Sequence, residues 1–115
     1  MVTKKQGKNV LTDEYRYKIL KELQQDPEIS QRELARRLGV SLGKTNFCLN
    51  ALIEKGLVKA DNFKKNPNKT RYLYLLTPKG IEEKITLTQH FLQRKLKEHE
   101  ELAKEIERLR EEIKP

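Results

Sequence analysis

The sequence predicts a mainly α, α+β fold: a three-helix core carries a β-hairpin and runs on into a long C-terminal coiled-coil helix. Three observations predict it. Residues 30–55 read as two capped helices joined by a tight turn. Apolar spacing changes from helical to alternating after Gly56. No helix breaker stands between Pro78 and Pro115. A chain of 115 residues holds one domain and an extension, here a basic arm over 1–11, a domain over 12–77 and a helix over 78–115.

The arm carries Lys4, Lys5 and Lys8 and little that is apolar before Val10. Its composition is that of a disordered segment, although a basic arm can also reach into a nucleic-acid groove. Thr12 opens the first helix, with Asp13 and Glu14 in its first turn and Tyr15, Ile19, Leu20 and Leu23 on its inner face. Pro27 closes it, and Ile29 packs inward as a short extended piece. Ser30 is a good N-cap, and Glu33 three residues later completes a Ser-x-x-Glu capping box. Leu34, Ala35 and Leu38 form one apolar face. Gly39 follows where a left-handed residue is wanted, with Val40 as the hydrophobic contact. Ser41 caps the next helix, whose buried stripe is Thr45, Cys48, Leu49 and Leu52, and Gly56 ends it. This is a helix-turn-helix pattern.

The helix after Ser41 differs electrically from the two before it. No carboxylate occurs from Leu34 to Ile53, while Arg36, Arg37 and Lys44 lie in or beside that span. The free N–H groups and positive dipole end of this helix therefore lack an anion from the chain; an outside phosphate would complete them. Water and the Ser41 hydroxyl alone are the plainer alternative. The net charge of +8 is placed to match: residues 1–77 hold 16 Lys/Arg against 8 Asp/Glu, whereas residues 78–115 hold nine of each. Excess positive charge on the helix-turn-helix part is the footprint expected for a polyanion partner.

Leu57–Phe63 and Arg71–Thr77 are strand candidates, the second rich in Tyr and Leu. Between them Lys64, Lys65, Asn66, Pro67, Asn68 and Lys69 form a turn-prone loop with three lysines, and Arg71 follows at once. A helix-turn-helix followed by a hairpin with a basic tip is the winged-helix arrangement. The helix over 41–55 would enter the major groove and the wing over 63–71 would lie on the backbone or minor groove. A solvated hairpin whose lysines only oppose edge pairing is the plainer alternative.

Thr77 and Pro78 are an N-cap and a first-position proline, and Glu82 and Glu83 suit the first turn that follows. A helix over 78–113 would be about 54 Å long. Its apolar residues fit a heptad with Ile85, Leu92, His99, Ile106 and Ile113 at a, and Ile81, Thr88, Lys95, Leu102 and Leu109 at d. Leu87, Phe91 and Leu96 lie outside that seam, so the first half is expected to pack on the domain as well as on a partner. The rest of the stripe needs a second copy. A homodimer is expected, with Ile85, Leu92, Leu96, His99, Leu102, Ile106, Leu109 and Ile113 at its interface. His99 reads as a polar register-setting residue, because no second metal ligand stands at a suitable spacing.

Other classes fit less well. Both histidines, His90 and His99, lie on the coil helix, the five glycines are isolated, and no nucleophile–base–carboxylate set is visible, so no enzyme, cofactor or metal is expected. Cys48 is the single cysteine, falls on an inner stripe and reads as core. No apolar run approaches membrane-span length and no signal-peptide core opens the chain, which predicts a cytoplasmic protein.

Residues 29–80, from Ile-Ser-Gln-Arg-Glu-Leu-Ala-Arg-Arg-Leu-Gly-Val-Ser through Glu-Lys-Gly-Leu-Val (54–58) to Leu-Thr-Pro-Lys-Gly (76–80), resemble the winged helix of MarR-type transcriptional regulators. The resemblance points to the short subgroup associated with exopolysaccharide (EPS) biosynthesis loci and extends through the C-terminal helix. It implies a homodimeric regulator of bacterial or archaeal origin that binds double-stranded DNA. It also implies that base-reading positions fall on Leu42, Gly43, Lys44, Asn46, Phe47 and Asn50. Two departures stand out. The family's wing Asp-x-Arg would fall on Asn68, Lys69 and Thr70, so the basic tip is offset to Lys69 and Arg71. The family's long N-terminal dimerisation helix has no counterpart here, which leaves the C-terminal helix to dimerise alone. Much of the family's ligand-pocket wall goes with it, and no small-molecule effector is predicted.

The residue chemistry suits that role. Asn46 and Asn50, one turn apart, can bond adenine edges, and Phe47 between them can meet thymine methyls. Lys44, Lys64, Lys65, Lys69 and Arg71 supply charge for phosphates, Ser41 caps the helix that faces them, and Gln31 and Arg32 would brace the backbone. The rival function is a winged-helix protein adaptor that docks through Phe47 without binding DNA. RNA binding is a weaker third, since no stacked aromatics of the single-strand readers are apparent.

Overall fold

The computed structural model describes residues 12–62 and 72–115. The expected basic arm and the loop of the hairpin lie outside the described residues. Six elements follow one another: α1 (Asp13–Gln25), α2 (Gln31–Leu38), α3 (Leu42–Glu54), β1 (Val58–Asn62), β2 (Tyr72–Leu76) and α4 (Pro78–Glu112). The fold is the winged helix expected from the sequence, mostly helical with one small sheet.

Each helix starts the same way. The hydroxyls of Thr12, Ser30, Ser41 and Thr77 accept from the backbone N–H three residues on, at Tyr15 (3.3 Å), Glu33 (3.0 Å), Lys44 (3.1 Å) and Gly80 (3.0 Å). Each bond satisfies one of the N–H groups that a helix start leaves without a partner. The capping box at Ser30 is only half formed. Glu33 gives its carboxylate to Arg36 Nε (2.9 Å) and Arg37 Nε (3.1 Å) instead of returning it to the cap.

Two helices end on glycine. At Gly39 φ is +69°, the Gly39 N–H donates to the Arg36 carbonyl (3.2 Å) and the Val40 N–H to the Ala35 carbonyl (3.1 Å). Gly56, with φ +74°, repeats the pattern, and the Leu57 N–H reaches the Leu52 carbonyl (3.0 Å). These are Schellman closures; at the second, buried Leu57 and Leu52 supply the apolar contact.

β1 and β2 pair antiparallel, with Val58 opposite Leu76 and Asn62 opposite Tyr72. One core joins everything: Ile19, Leu20 and Leu23 of α1, Ile29, Leu34 of α2, Cys48, Leu49 and Leu52 of α3, Leu57, Val58, Tyr74 and Leu87 of α4. Tyr15, expected with the inner face of α1, is only half-buried.

A single residue, Thr77, separates β2 from α4, and it is tied on three sides. Its N–H donates to the Leu57 carbonyl (3.0 Å), its hydroxyl donates to the Gly56 carbonyl, and that hydroxyl also accepts from Gly80. The start of α4 is thereby fixed to the end of α3. Glu82 and Glu83 fall beyond the first turn of α4, which holds no acid. Glu83 instead meets Arg16 of α1 (3.4 Å), while Arg16 also binds Asp13 (2.6 Å). Phe91 packs its ring against Tyr17, centroids 5.1 Å apart. The first half of α4 thus lies on the body, as its wider apolar stripe predicts. From Leu92 onward every residue of α4 is exposed.

Candidate nucleic-acid interface

The face that α3 offers outward follows from the face it buries. Thr45, Cys48, Leu49 and Leu52 point into the core, so residues about half a turn away must point out. Leu42, Gly43, Asn46, Phe47 and Asn50 are all exposed, and Phe47 shows 56% of its surface to solvent. A single exposed apolar residue is ordinary; Phe47 is informative because Asn46 and Asn50 are exposed with it along the same helix. The stripe beneath is anchored as core: the Thr45 hydroxyl donates to the Ser41 carbonyl (3.0 Å), and burial pushes the Cys48 thiol up, partly offset by the charge of Lys44.

The first turn of α3 holds no carboxylate. The first turn of α4 shares that trait, so acid-free starts are not peculiar to α3. What sets α3 apart is the exposed polar and aromatic face beside its start.

The cations expected around this face divide into two groups. Arg36 and Arg37 are already paired. Arg36 is held by Glu33, and Arg37 reaches Glu22 (2.9 Å), Glu33 (3.1 Å) and Asp26 (3.6 Å). These contacts lower the Glu33 carboxyl to about 2 and raise both guanidiniums. Arg32 is exposed and has no carboxylate partner among the described residues. The Lys44 ammonium rests on Tyr15 of α1, 4.3 Å from the ring centroid and 3.3 Å from the hydroxyl.

The Gln31 amide donates one of its two N–H groups to the Tyr74 hydroxyl (2.8 Å). That bond joins the start of α2 to the wing strand. Beside it runs an open groove of about 480 Å³, lined among others by Gln31, Arg32, Leu42, Tyr72 and Tyr74. Residues expected to touch the backbone (Gln31, Arg32) and a base-reading position (Leu42) therefore share one concave surface. Tyr15, Tyr72 and Tyr74 belong to this region without having been singled out as binding residues. For the last two a signal existed: their spacing of two on a strand puts both rings on one face, with centroids 6.3 Å apart. Nothing in the sequence paired Tyr15 with Lys44, 29 residues away.

Lys64, Lys65, Lys69 and Arg71, the expected wing contacts, lie outside the described residues. The proposed dimer residues Ile85, Leu92, Leu96, His99, Leu102, Ile106, Leu109 and Ile113 are all exposed on α4. Among the described residues no helix is long and apolar enough to cross a membrane.

Residues 12–59 match the family model described as winged helix-turn-helix DNA-binding. No curated protein matches the chain. Solved structures of similar fold are MarR regulators and related transcriptional regulators. Wild-type MarR from E. coli, in its apo form, is 28% identical, with 88% of this chain and 77% of that one covered at a TM-score of 0.60. The transcriptional regulator BldR from Sulfolobus solfataricus is 24% identical, covering 85% and 73% with a TM-score of 0.61. The PcaV transcriptional regulator from Streptomyces coelicolor is 20% identical, covering 84% and 75%, also with a TM-score of 0.61.

Proposed function

We infer, from a winged helix-turn-helix DNA-binding domain built on the fold of the MarR regulators, that this chain is a DNA-binding transcription regulator acting as a homodimer. In this reading α3 enters the major groove, where Asn46 and Asn50 bond base edges and Phe47 meets thymine methyls. The segment 63–71 lies on the backbone or minor groove. Ser41, Lys44, Gln31 and Arg32 hold phosphates. The stripe of α4 from Ile85 to Ile113 pairs with its counterpart in a second copy. Genes of exopolysaccharide loci are the first targets to examine, in a cytoplasmic setting and without a small-molecule effector.

One observation carries the inference: the outward face of α3 combines two carboxamides, an exposed aromatic ring and an acid-free first turn. Such a surface suits base edges bounded by phosphates. The test is capture of genomic fragments by the purified chain, followed by binding titrations on the recovered duplex across a salt series. A palindrome with half-sites about 10 bp apart, or a multiple, is expected. The exposure of Phe47 also suits a protein adaptor. In that case no duplex is bound even at low salt.

A further inference from the structure

We propose that Tyr15 is a positioning residue for DNA binding, which holds the Lys44 ammonium at the start of α3 as a preset phosphate contact. The proposal rests on the DNA-binding reading above and adds to it a residue on a different helix.

Lys44 is the only Lys or Arg within α3. A lysine on the surface normally samples many rotamers, and fixing one against a phosphate costs that freedom. Here the ammonium is already gathered, 4.3 Å from the Tyr15 ring centroid and 3.3 Å from its hydroxyl. Both side chains are half-buried, and the Lys44 backbone N–H is itself fixed by Ser41.

The chemistry of the holder matters as much as its position. Arg36 and Arg37 are held by carboxylates, which cancel their charge at the surface. Tyr15 is neutral, so it orders the cation and leaves its full charge for a polyanion. An ammonium has three N–H donors, and the tyrosine hydroxyl takes one. The others remain for phosphate oxygens, so the Tyr15 contact persists in the complex.

Binding of the full-length chain to its selected duplex, followed against salt for Lys44→Ala, Tyr15→Leu, Tyr15→Phe and the Tyr15→Leu/Lys44→Ala double variant, tests this. Lys44→Ala should reduce the salt slope by about 0.9, the loss of one phosphate contact. Tyr15→Leu should weaken binding by roughly three- to fivefold at every salt concentration with the slope unchanged. Tyr15→Phe, which keeps the ring face, should recover most of that loss. In the Lys44→Ala background Tyr15→Leu should have no further effect. An equal loss in both backgrounds, an unchanged slope for Lys44→Ala, or tighter binding by Tyr15→Leu each overturns the proposal.

A second measurement needs no variant. The Lys44 ε-methylene protons should show an upfield ring-current shift in the free protein that survives addition of duplex; its disappearance on binding overturns the proposal. A wild-type chain that binds no duplex at any salt removes the DNA-binding reading itself, and is distinguishable from all of these outcomes.

Discussion

Gly80 shows how one missing side chain can set a junction. It is buried in the first turn of α4, and a Cβ there would run into the carbonyl oxygen of Leu57. That carbonyl cannot retreat without loosening the Thr77 N–H it accepts. Gly80→Ala should therefore destabilise the fold by about 1–3 kcal/mol, read as a lower urea midpoint. Glu33 makes a different kind of contribution. Arg36 and Arg37 hold its carboxyl at about 2 instead of 4.5, so its stabilising effect is complete above pH 4.5 and is lost as the pH falls towards 2. The group is one-third exposed, hence salt should screen the effect. In Glu33→Gln the acid decline of the urea midpoint between pH 4.5 and 2 should be shallower than in wild type, and the gap should shrink at high salt. Single residues were also where the sequence spoke most clearly. All four N-caps and both closing glycines were legible because capping needs only a partner three to five positions away. The Arg37 cluster and the Tyr15–Lys44 contact were not, since each depends on how α1 crosses the helix pair.

The two segments of the proposed interface should fail in different ways when altered. Of the excess positive charge in residues 1–77, the span 12–62 holds little: nine Lys/Arg against eight Asp/Glu, all of the rest being in 1–11 and 63–71. In the proposed complex, base selection then falls to α3 and general attraction to the flanking basic segments. Asn46→Ala or Phe47→Ala should weaken binding to the cognate duplex and reduce its preference over random duplex by about 1–3 kcal/mol. Lys65→Ala should weaken both duplexes alike and lower the salt slope by about one unit. Competition titrations on the two duplexes separate these outcomes; equal loss on both for Asn46→Ala counts against the division. Element type and order were readable from periodicity alone; the first strand begins at Val58 and the second ends at Leu76, each one residue inside the bounds that the alternation suggested. The Tyr74–Gln31 bond was beyond that kind of inference. It arises because β2 passes beside the start of α2, a consequence of hairpin placement that spacing along the chain does not encode.

The proposed assembly rests on the outer half of α4. Past Phe91 the helix has no covering neighbour among the described residues, and Leu92, Leu96, Leu102, Ile106, Leu109 and Ile113 are apolar and exposed. Helices without tertiary support are marginal in water, which is why a second copy is the natural cover. Ile106→Glu should shift the chain to a single copy in sedimentation and make its melting temperature independent of concentration. It should also abolish binding to a two-half-site duplex at concentrations where wild type binds. The sequence foretold the stripe and the inward turn at Leu87. It could not say how far the body reaches along the rod, because that depends on the docking of Tyr17 and Arg16.

Thr77 is the only residue between the wing strand and that rod, and its three hydrogen bonds leave no slack. The body and the rod therefore turn together like a crank and its shaft. In the proposed dimer, adding one residue to the exposed stretch would rotate everything beyond it by about 100° and swing the partner's α3 to another azimuth around the duplex. In the proposed complex, target-site spacing would then follow from the length of the exposed stretch of α4.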